Sequence, residues 1–195
     1  ADLTPSTLTK WSNSIDFSAV TPDGRYLRFG VREHAMAAIC NGISAYGLAT
    51  VPFCATFLNF ITYAWGAVRL SALSGRKVVY VMTHDSVALG EDGPTHQPIE
   101  AITALRALPG MSVWRPADAN ELSASWMTAL RRSGPTTLCL SRQNMPQLHT
   151  SSVESAKKGA YTVVHESEPD LILIGTGSEV HLCVEVAQKS TLKVR

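Results

Sequence analysis

The stretch from Thr83 to Pro98 combines residue types that a hydrophobic core does not require. It follows an apolar run, residues 77–82, that is typical of a buried strand, and it includes two histidines, three acidic residues, two glycines and two prolines. Glycine and proline fix the path of a loop, and loops at the carboxyl ends of strands in open α/β sheets bind ligands. We therefore interpret this stretch, the 83–98 loop, as a ligand-binding wall; the alternative is a polar surface loop with incidental histidines.

Two chemistries are open to the histidines of this loop, His84 and His96. Together with Asp85, Glu91 and Asp92 they could ligate a metal ion, but their spacing matches no compact metal site. Hydrogen bonding to a polyhydroxylated or phosphorylated substrate is the better interpretation. A serine or cysteine nucleophile has weak support, because the chain has no G-x-S-x-G elbow and no cysteine beside a base.

Glu33 is the most informative residue outside this loop. It begins a predicted helix on which it shares one face with Met36, Ala37 and Cys40. Burial on an apolar face opposes the charge of a carboxylate, whereas the amino terminus of a helix favours it. A carboxylate under such opposed effects suits proton transfer. The alternative is a capping or first-turn glutamate on the solvent side, and the spacing fits both.

Three aromatic residues, Phe57, Phe60 and Tyr63, follow one another at intervals of three. Such a stripe could stack on a planar heterocycle, although aromatic stripes more often belong to a core. Arg142 comes directly after a predicted strand, where a sheet presents ligand-binding groups. A guanidinium group suits a phosphate because it donates in a bidentate way; the alternative is a solvated arginine at the start of a linker.

Alternating strand-like and helical patterns must position these residues. Residues 1–24 lack periodicity and are predicted to be mostly loop. Apolar and β-branched runs predict strands at residues 26–29, 51–55, 78–82, 111–114 and 136–140, and helical spacing predicts helices at residues 32–47, 57–73, 99–108 and 117–132. Because the connections are short, this order predicts an α/β fold: a parallel sheet with helices on both faces.

A second unit follows a predicted linker at residues 142–158. Its predicted strands lie at residues 161–164 and 171–174, and a helix is predicted from about Glu179. The turn between them, Gly175-Thr176-Gly177-Ser178, lacks the third glycine of a dinucleotide fingerprint and the lysine of a P-loop. We interpret it as a tight turn with Ser178 as the helix cap, with anion binding as the alternative. So few residues cannot bury a core alone, so we expect the chain to be a fragment.

Composition excludes several classes of protein. Apolar residues make up 45% of the chain and charged residues 17%, which is typical of a globular protein. A net charge of +1 argues against nucleic acid or an anionic membrane as the main partner. No apolar run reaches the length of a bilayer span. The four cysteines lie far apart among apolar neighbours, which predicts buried free thiols in a reducing compartment.

With these residues assembled, the chain closely resembles the transketolase family of thiamine diphosphate enzymes. The 83–98 loop, with Gly-Glu-Asp-Gly-Pro-Thr-His-Gln-Pro at 90–98, is the most specific match, since other thiamine enzymes share only looser forms of it. The resemblance covers essentially the whole chain and includes Ala-Asp-Leu-Thr-Pro-Ser at 1–6, Gly-Val-Arg-Glu-His-Ala-Met at 30–36, Thr-Phe-Leu-Asn-Phe at 56–60, Gly-Ala-Val-Arg-Leu-Ser-Ala-Leu-Ser-Gly at 66–75, Trp-Arg-Pro-Ala-Asp at 114–118, Leu-Ser-Arg-Gln-Asn at 140–144 and Gly-Thr-Gly-Ser-Glu-Val at 175–180.

The resemblance implies a role for each candidate residue. Glu33 would hydrogen-bond N1′ of the cofactor's aminopyrimidine, favouring the imino tautomer that removes the thiazolium C2 proton to give the ylid. Phe57, Phe60 and Tyr63 would surround the pyrimidine. His96 would contact the transferred two-carbon unit. Asp92 would hydrogen-bond a substrate hydroxyl. The sugar phosphate would be bound by His84, Arg142 and Ser6, and Asp2 would lie at the subunit interface near the cofactor.

The same resemblance implies a pyrimidine-binding domain over residues 1–147 and the incomplete beginning of a carboxyl-terminal domain over 148–195. It implies transfer of a two-carbon ketol unit from a ketose phosphate, such as xylulose 5-phosphate, to an aldose phosphate, such as ribose 5-phosphate. The cofactors would be thiamine diphosphate and a Mg²⁺ or Ca²⁺ ion held by an amino-terminal domain that this chain lacks. A second subunit of a homodimer would complete the site, and the expected location is the cytoplasm, with plastid and glycosome as alternatives.

Two alternatives to this function stay open. A dihydroxyacetone synthase-like enzyme would transfer the ketol unit to formaldehyde, and a catalytically silent homologue would keep the fold without the reaction. The presence of Glu33, Asp92 and His96 argues against the silent homologue.

Overall fold

A parallel sheet organises the chain, of which the computed structural model describes residues 3–47 and 49–195. Within those residues the sheet has four strands in the order β1-β2-β4-β3. The strands are β1 (Phe53–Phe57), β2 (Val79–Thr83), β3 (Ser112–Trp114) and β4 (Thr136–Leu140). Each neighbouring pair is parallel. The predicted parallel sheet is therefore confirmed.

Strand β2 lies at the centre of the sheet, and all of its residues are buried. Its side chains alternate between the two faces, as in any strand. Tyr80 and Met82 join one apolar cluster, whereas Val79 and Val81 join another. A continuous apolar run is what a strand covered on both faces requires.

Helices cover both faces of the sheet. The Tyr80 side packs against α2 (Glu33–Tyr46), α3 (Trp65–Leu73), α4 (Ala101–Ala107) and the 3₁₀ helix Leu58–Ala64. The Val79 side packs against α5 (Ala119–Arg131). The remaining elements are the short helices α1 (Thr4–Thr7) and α6 (Val153–Ala156), the 3₁₀ helix Val87–Leu89 and α7 (Glu179–Lys189).

Two predictions in the first half of the chain were wrong in detail. Residues 26–29 form no strand; Tyr26 makes only an isolated bridge with Asp16. The predicted helix at 57–73 begins as strand, because Phe57 still pairs with Thr83, and then continues as 3₁₀ helix before α3 begins at Trp65. Side-chain spacing of three residues fits a 3₁₀ helix as well as an α-helix.

The strands predicted for the second unit, residues 161–164 and 171–174, are not formed either. Leu171 and Val194 make an isolated parallel bridge, which backbone hydrogen bonds from Leu173 N to Arg195 O (2.8 Å) and from Arg195 N to Leu171 O (2.9 Å) extend. Ser178 precedes α7 without capping it; its hydroxyl donates to Glu179 Oε1 at 2.8 Å. The Ser178 hydroxyl thus bonds the Glu179 carboxylate instead of a backbone N–H of α7, as the predicted cap required.

The cysteines behave largely as the composition predicts. All four are free thiols; Cys40, Cys54 and Cys139 are buried and Cys183 is half-buried. Burial raises the pKa of the Cys139 thiol to about 12. No helix in the described part of the chain is long and apolar enough to cross a membrane.

Asp118 ties the first unit to the segment that follows it. Its carboxylate caps α5 through Glu121 N (2.9 Å) and also accepts from Leu148 N (3.2 Å) and Gln147 Nε2 (2.6 Å). Ser151 donates to it as well. One buried carboxylate therefore fixes both the start of a helix and the chain at residues 147–151.

Asp118→Ala is expected to lower the free energy of unfolding by about 2–4 kcal/mol, because it removes a helix cap and leaves buried donors without an acceptor. Urea denaturation followed by circular dichroism measures the change. Ser123→Ala is the matched control, since its hydroxyl bonds only within α5, to Ala119 O. Equal midpoints for the two variants would contradict the role of Asp118.

Candidate active site

The carboxyl ends of three neighbouring strands meet at one edge of the sheet. The register pairs Phe57, Thr83 and Leu140, the last residues of β1, β2 and β4. Asp85 N donates to Leu140 O at 3.2 Å and extends the β2–β4 pairing beyond the strands. The residues that follow these ends are the 3₁₀ helix Leu58–Ala64, the 83–98 loop and the segment that begins at Ser141. Parallel pairing thus brings candidate residues from three distant stretches to one edge.

A cluster of aromatic and histidine rings occupies this edge. The Phe57 and Phe60 rings are stacked with centroids 5.7 Å apart, and the His84 ring lies 3.9 Å from Phe57. The His96 ring contacts Phe60 at 5.1 Å and Phe57 at 6.2 Å, both edge-on. Tyr63 extends the row, 6.1 Å from Phe60. We call these five residues the aromatic–histidine cluster. The structure brings together residues that the sequence flagged separately.

The members of this cluster differ in exposure. Phe57 and His84 are buried, Phe60 and His96 are half-buried, and Tyr63 is 69% exposed. Phe57 is therefore a core residue that supports the other rings. For this residue, the structure agrees with the alternative that the aromatic stripe belongs to the core. Phe60 and Tyr63 keep ring surface that a ligand can reach.

His84 has an unusual backbone. Its φ of 59° lies in the left-handed region, which a non-glycine residue adopts at a cost of about 1–3 kcal/mol. Its Nδ1 lies 2.9 Å from Thr83 Oγ1. Burial lowers the pKa of His84, the positive charge of Arg142 lowers it further, and the carboxylates of Asp92 and Asp85 oppose the change. Arg142 and Asp92 are both exposed, and both lie near enough for their charges to act on this imidazole.

Hydrogen bonds within the 83–98 loop fix the position of His96. Gln97 Nε2 donates to Val87 O (3.0 Å) and Gly90 O (3.3 Å), which closes the loop on itself. His96 Nδ1 lies 2.9 Å from Thr95 Oγ1, and Asn59, on the 3₁₀ helix, donates to Thr95 O. Sequence reasoning missed Gln97 and Asn59, because their contribution is a bond across the loop rather than a ligand-type side chain.

Glu33 lies at the amino end of α2 and is 8% exposed. The other buried residues of α2 are Met36, Ala37 and Cys40, so the face predicted from the sequence is the one that faces the core. No hydrogen bond or ion pair to its carboxylate occurs within residues 3–47 and 49–195. Its oxygens are not among the buried polar atoms that lack a partner, so the carboxylate itself stays accessible. This position can accept a hydrogen bond from a ligand.

The two remaining candidates lie at the amino-terminal end of the chain. Ser6 is exposed on α1, where its amide donates to Leu3 O at 2.9 Å. The structure gives Ser6 no contact with the aromatic–histidine cluster within the described residues. Asp2 lies outside the described residues. No group of three or more histidine, cysteine, aspartate or glutamate residues that could hold a metal ion occurs in the described part of the chain.

A buried ion pair that involves the 83–98 loop was not predicted from the sequence. Arg115 Nε donates to Asp85 Oδ2 at 2.6 Å, and both side chains are nearly inaccessible. Arg115 directly follows β3, just as Arg142 follows β4, so the strand-end rule that marked Arg142 could have marked Arg115 as well.

Comparisons with known proteins identify the family of this chain. A model of the pyrimidine-binding domain of transketolase matches residues 1–147. The chain belongs to the transketolase pyrimidine-binding domain family. The resemblance drawn from the sequence motifs is thereby confirmed.

Similar proteins include transketolases from several organisms. Transketolase 1 of Saccharomyces cerevisiae is 55% identical, over 99% of this chain and 29% of its own length. A Pichia stipitis transketolase in complex with sedoheptulose 7-phosphate superposes with a TM-score of 0.95 at 52% identity, covering 100% of this chain and 30% of that one. A transketolase from Leishmania mexicana gives a TM-score of 0.96 at 53% identity, with the same coverage. The chain thus spans less than a third of the length of these transketolases.

The position of His84 predicts a titration that can be measured. Its imidazole is expected to titrate below 6.5, its usual value. Because the folded pKa lies below the unfolded one, the folded state binds fewer protons here, and stability is lost as the pH falls from the unfolded pKa through the folded one. Arg142→Gln is expected to raise the pKa of His84, and Asp92→Asn to lower it further.

Proton NMR of the imidazole Cε1–H against pH checks this expectation. Lys158→Gln, which removes an exposed cation from the segment around α6, is the matched control and is expected to leave the titration unchanged. An Arg142→Gln variant that titrates like the unmodified chain would show that Arg142 does not act on His84.

Proposed function

We propose that this chain forms the pyrimidine-binding part of a transketolase, with residues 1–147 as the pyrimidine-binding domain and 148–195 as the beginning of the carboxyl-terminal domain. The family model ends at residue 147, where the helix and strand pattern of the first unit also ends. The proposed reaction is the reversible transfer of a two-carbon ketol unit from a ketose phosphate such as xylulose 5-phosphate to an aldose phosphate such as ribose 5-phosphate.

The observation that carries this proposal is Glu33, a residue that is 8% exposed on the core-facing side of α2 and whose accessible carboxylate has no hydrogen-bond partner among the described residues. It lies on α2, which packs against the 3₁₀ helix that bears Phe60 and Tyr63. A carboxylate acceptor on a helix that packs against the element with the accessible rings suits an aminopyrimidine, which offers a flat apolar face and a ring nitrogen that can carry a proton. The residues present therefore fit thiamine diphosphate.

Glu33 has a defined role in this proposal. Its carboxylate accepts a hydrogen bond from N1′ of the aminopyrimidine and holds the proton on that nitrogen. When bound, thiamine diphosphate supplies the nucleophilic carbon that adds to the ketose carbonyl. Phe60 and Tyr63 orient the pyrimidine ring, and Phe57 supports them from the core.

The 83–98 loop forms the substrate-binding wall in this proposal. His96 stands edge-on to Phe60 and donates to an oxygen of the transferred two-carbon unit. Asp92 reads a substrate hydroxyl, and His84 and Arg142 bind the phosphate. Burial and the positive charge of Arg142 both lower the pKa of His84, so the arginine carries the charge while the imidazole contributes hydrogen bonds. The sedoheptulose 7-phosphate complex of the Pichia stipitis enzyme supports a sugar phosphate ligand.

Several parts of the proposed site come from outside this chain. The diphosphate and its Mg²⁺ or Ca²⁺ ion are held elsewhere in the enzyme, and a second subunit completes each site. From this chain, Asp2 lies at the interface near the cofactor in this proposal, and Ser6 joins His84 and Arg142 in binding the sugar phosphate. We call this chain together with those parts the complete enzyme. Its proposed location is the cytoplasm.

Glu33→Gln in the complete enzyme is expected to lower kcat about a hundredfold or more, because an amide holds the N1′ proton less firmly than a carboxylate does. Steady-state turnover of xylulose 5-phosphate with ribose 5-phosphate, and with formaldehyde as the alternative acceptor, measures it. Glu154→Gln replaces an exposed glutamate that pairs only with Lys157 and is the control. Turnover by Glu33→Gln within a few-fold of the unmodified enzyme would disprove the role of Glu33.

The 195-residue chain alone is expected neither to bind thiamine diphosphate tightly nor to turn over sugar phosphates, because the proposal places the ligands of the diphosphate and its metal ion in another domain. Isothermal titration calorimetry with thiamine diphosphate and Mg²⁺ measures binding, and a coupled assay measures turnover. Sugar-phosphate turnover by the chain alone would overturn the proposed division of the site.

A further inference from the structure

A buried arginine connects the 83–98 loop to the second unit. Arg115 Nε donates to Asp85 Oδ2 at 2.6 Å, and Arg115 Nη1 donates to Thr176 O at 2.8 Å, to Thr176 Oγ1 at 3.2 Å and to the Glu179 carboxylate. The side chain of Arg115 is 10% exposed and that of Asp85 is 1% exposed. The guanidinium therefore joins a buried carboxylate of the 83–98 loop to a more accessible part of the second unit, where the Glu179 side chain is 45% exposed.

The backbone around Arg115 strengthens this connection. Gly177 N donates to Arg115 O at 2.9 Å. Gly177 has a φ of 57°, and a Cβ at this position would lie 2.8 Å from Arg115 Cγ. The turn at residues 175–179 thus closes around the arginine on both its main chain and its side chain. Glycine is required there because any side chain would displace Arg115.

Only an arginine can make this set of contacts. Its planar fork offers donors in several fixed directions, so it reaches a carboxylate on one side and a carbonyl and a second carboxylate on the other. Burial alone would lower the pKa of Arg115, but the carboxylates of Glu179 and Asp85 outweigh burial and raise it. The group stays charged, and Asp85, whose side chain is 1% exposed, depends on it because a buried charge without its counter-ion is strongly unfavourable.

Asp85 transmits this connection to the candidate site. It follows His84 directly, and its amide donates to Leu140 O. His84 is thus held between Thr83, which ends β2, and Asp85, whose amide and Oδ2 are both bonded. A left-handed backbone at a non-glycine residue persists only where its surroundings enforce it. The Asp85–Arg115 bond is part of that enforcement.

We propose that Arg115 is a positioning residue that ties the 83–98 loop to the 175–179 turn, and that this tie fixes the phosphate-binding end of the substrate site. The inference rests on the proposed function, because it takes His84 and Arg142 as the phosphate ligands. Docking of the second unit then sets the angle at which His84 meets the phosphate. The carbon end of the site, with Asp92 and His96, is held separately by Gln97 and Asn59.

The test compares two ketoses in the complete enzyme, one phosphorylated and one not. Arg115→Met is expected to raise KM for xylulose 5-phosphate roughly five- to tenfold, to change kcat much less, and to leave kcat/KM for unphosphorylated xylulose unchanged. Arg115→Lys is expected to recover part of the loss, because one ammonium group can still reach Asp85. Arg132→Met is the matched control, since that arginine is exposed and bonds Gly110 O.

A second measurement does not depend on turnover. NMR of the His84 imidazole during titration with inorganic phosphate gives a dissociation constant, which Arg115→Met is expected to weaken by a similar factor. If Arg115→Met does not fold, Glu179→Gln, at the accessible end of the network, is expected to give a smaller change of the same kind in both measurements.

The outcomes separate the two proposals. An unmodified complete enzyme without ketol transfer would refute the proposed function, and the phosphate titration would then decide the role of Arg115 alone. An active enzyme whose Arg115 variants change KM equally for both ketoses, or for neither, would refute the positioning role. So would a phosphate affinity that the variants leave unchanged.

Discussion

The parallel pairing of β2 with both of its neighbours is the constraint on which the site depends. β2 is bonded to β1 on one side and to β4 on the other, in a register that aligns the last residues of all three strands. In a parallel sheet the carboxyl ends lie at the same edge, so the chain segments that leave them must diverge from one place. A shift of one residue in either pair would turn the side chains at that edge to the opposite face. Both Phe57 and His84 would then lose their contact.

Two carboxylates of the chain, Asp85 and Glu33, differ in their partners. Asp85 is bonded to the Arg115 guanidinium through Oδ2, while its Oδ1 is buried without a hydrogen-bond partner. Glu33 has no hydrogen-bond partner among the described residues, and its oxygens are not among the buried polar atoms that lack one, so solvent or a ligand can reach them. The contrast separates a carboxylate that supports the site from one that would act in it.

Much of the fold could be predicted because local pattern and tertiary environment agree there. β4 was predicted with its observed ends, and the buried face of α2 followed from the spacing of Glu33, Met36, Ala37 and Cys40. The patterns failed where an element depends on a partner. Residues 26–29 have the composition of a strand but no neighbouring strand to pair with. The change from β1 to a 3₁₀ helix does not alter the periodicity of the apolar residues, so the sequence does not reveal it.

The candidate site was predictable as a set of residue types but not as a set of contacts. Motif resemblance marked the two histidines, the aromatic stripe and Arg142, and the structure places most of them at one strand edge. The bond between Asp85 and Arg115 joins residues 30 positions apart, and the bond from Asn59 to Thr95 joins residues 36 apart. Such pairs are set by the packing of whole elements, which composition and periodicity do not encode.

The strand order also has a consequence for the route by which the chain folds. β1 and β2 are separated by the 3₁₀ helix and α3, whereas β2 meets β4 only after α4, β3 and α5 have intervened. Closing a long loop lowers the conformational entropy of the chain before the new hydrogen bonds stabilise it. Parallel pairs between distant strands are therefore expected to form late. His84 and Arg142 are therefore brought to one edge by a late step of folding. Until that step the central strand has one free edge, and the newly made chain carries its greatest risk of pairing with the wrong partner.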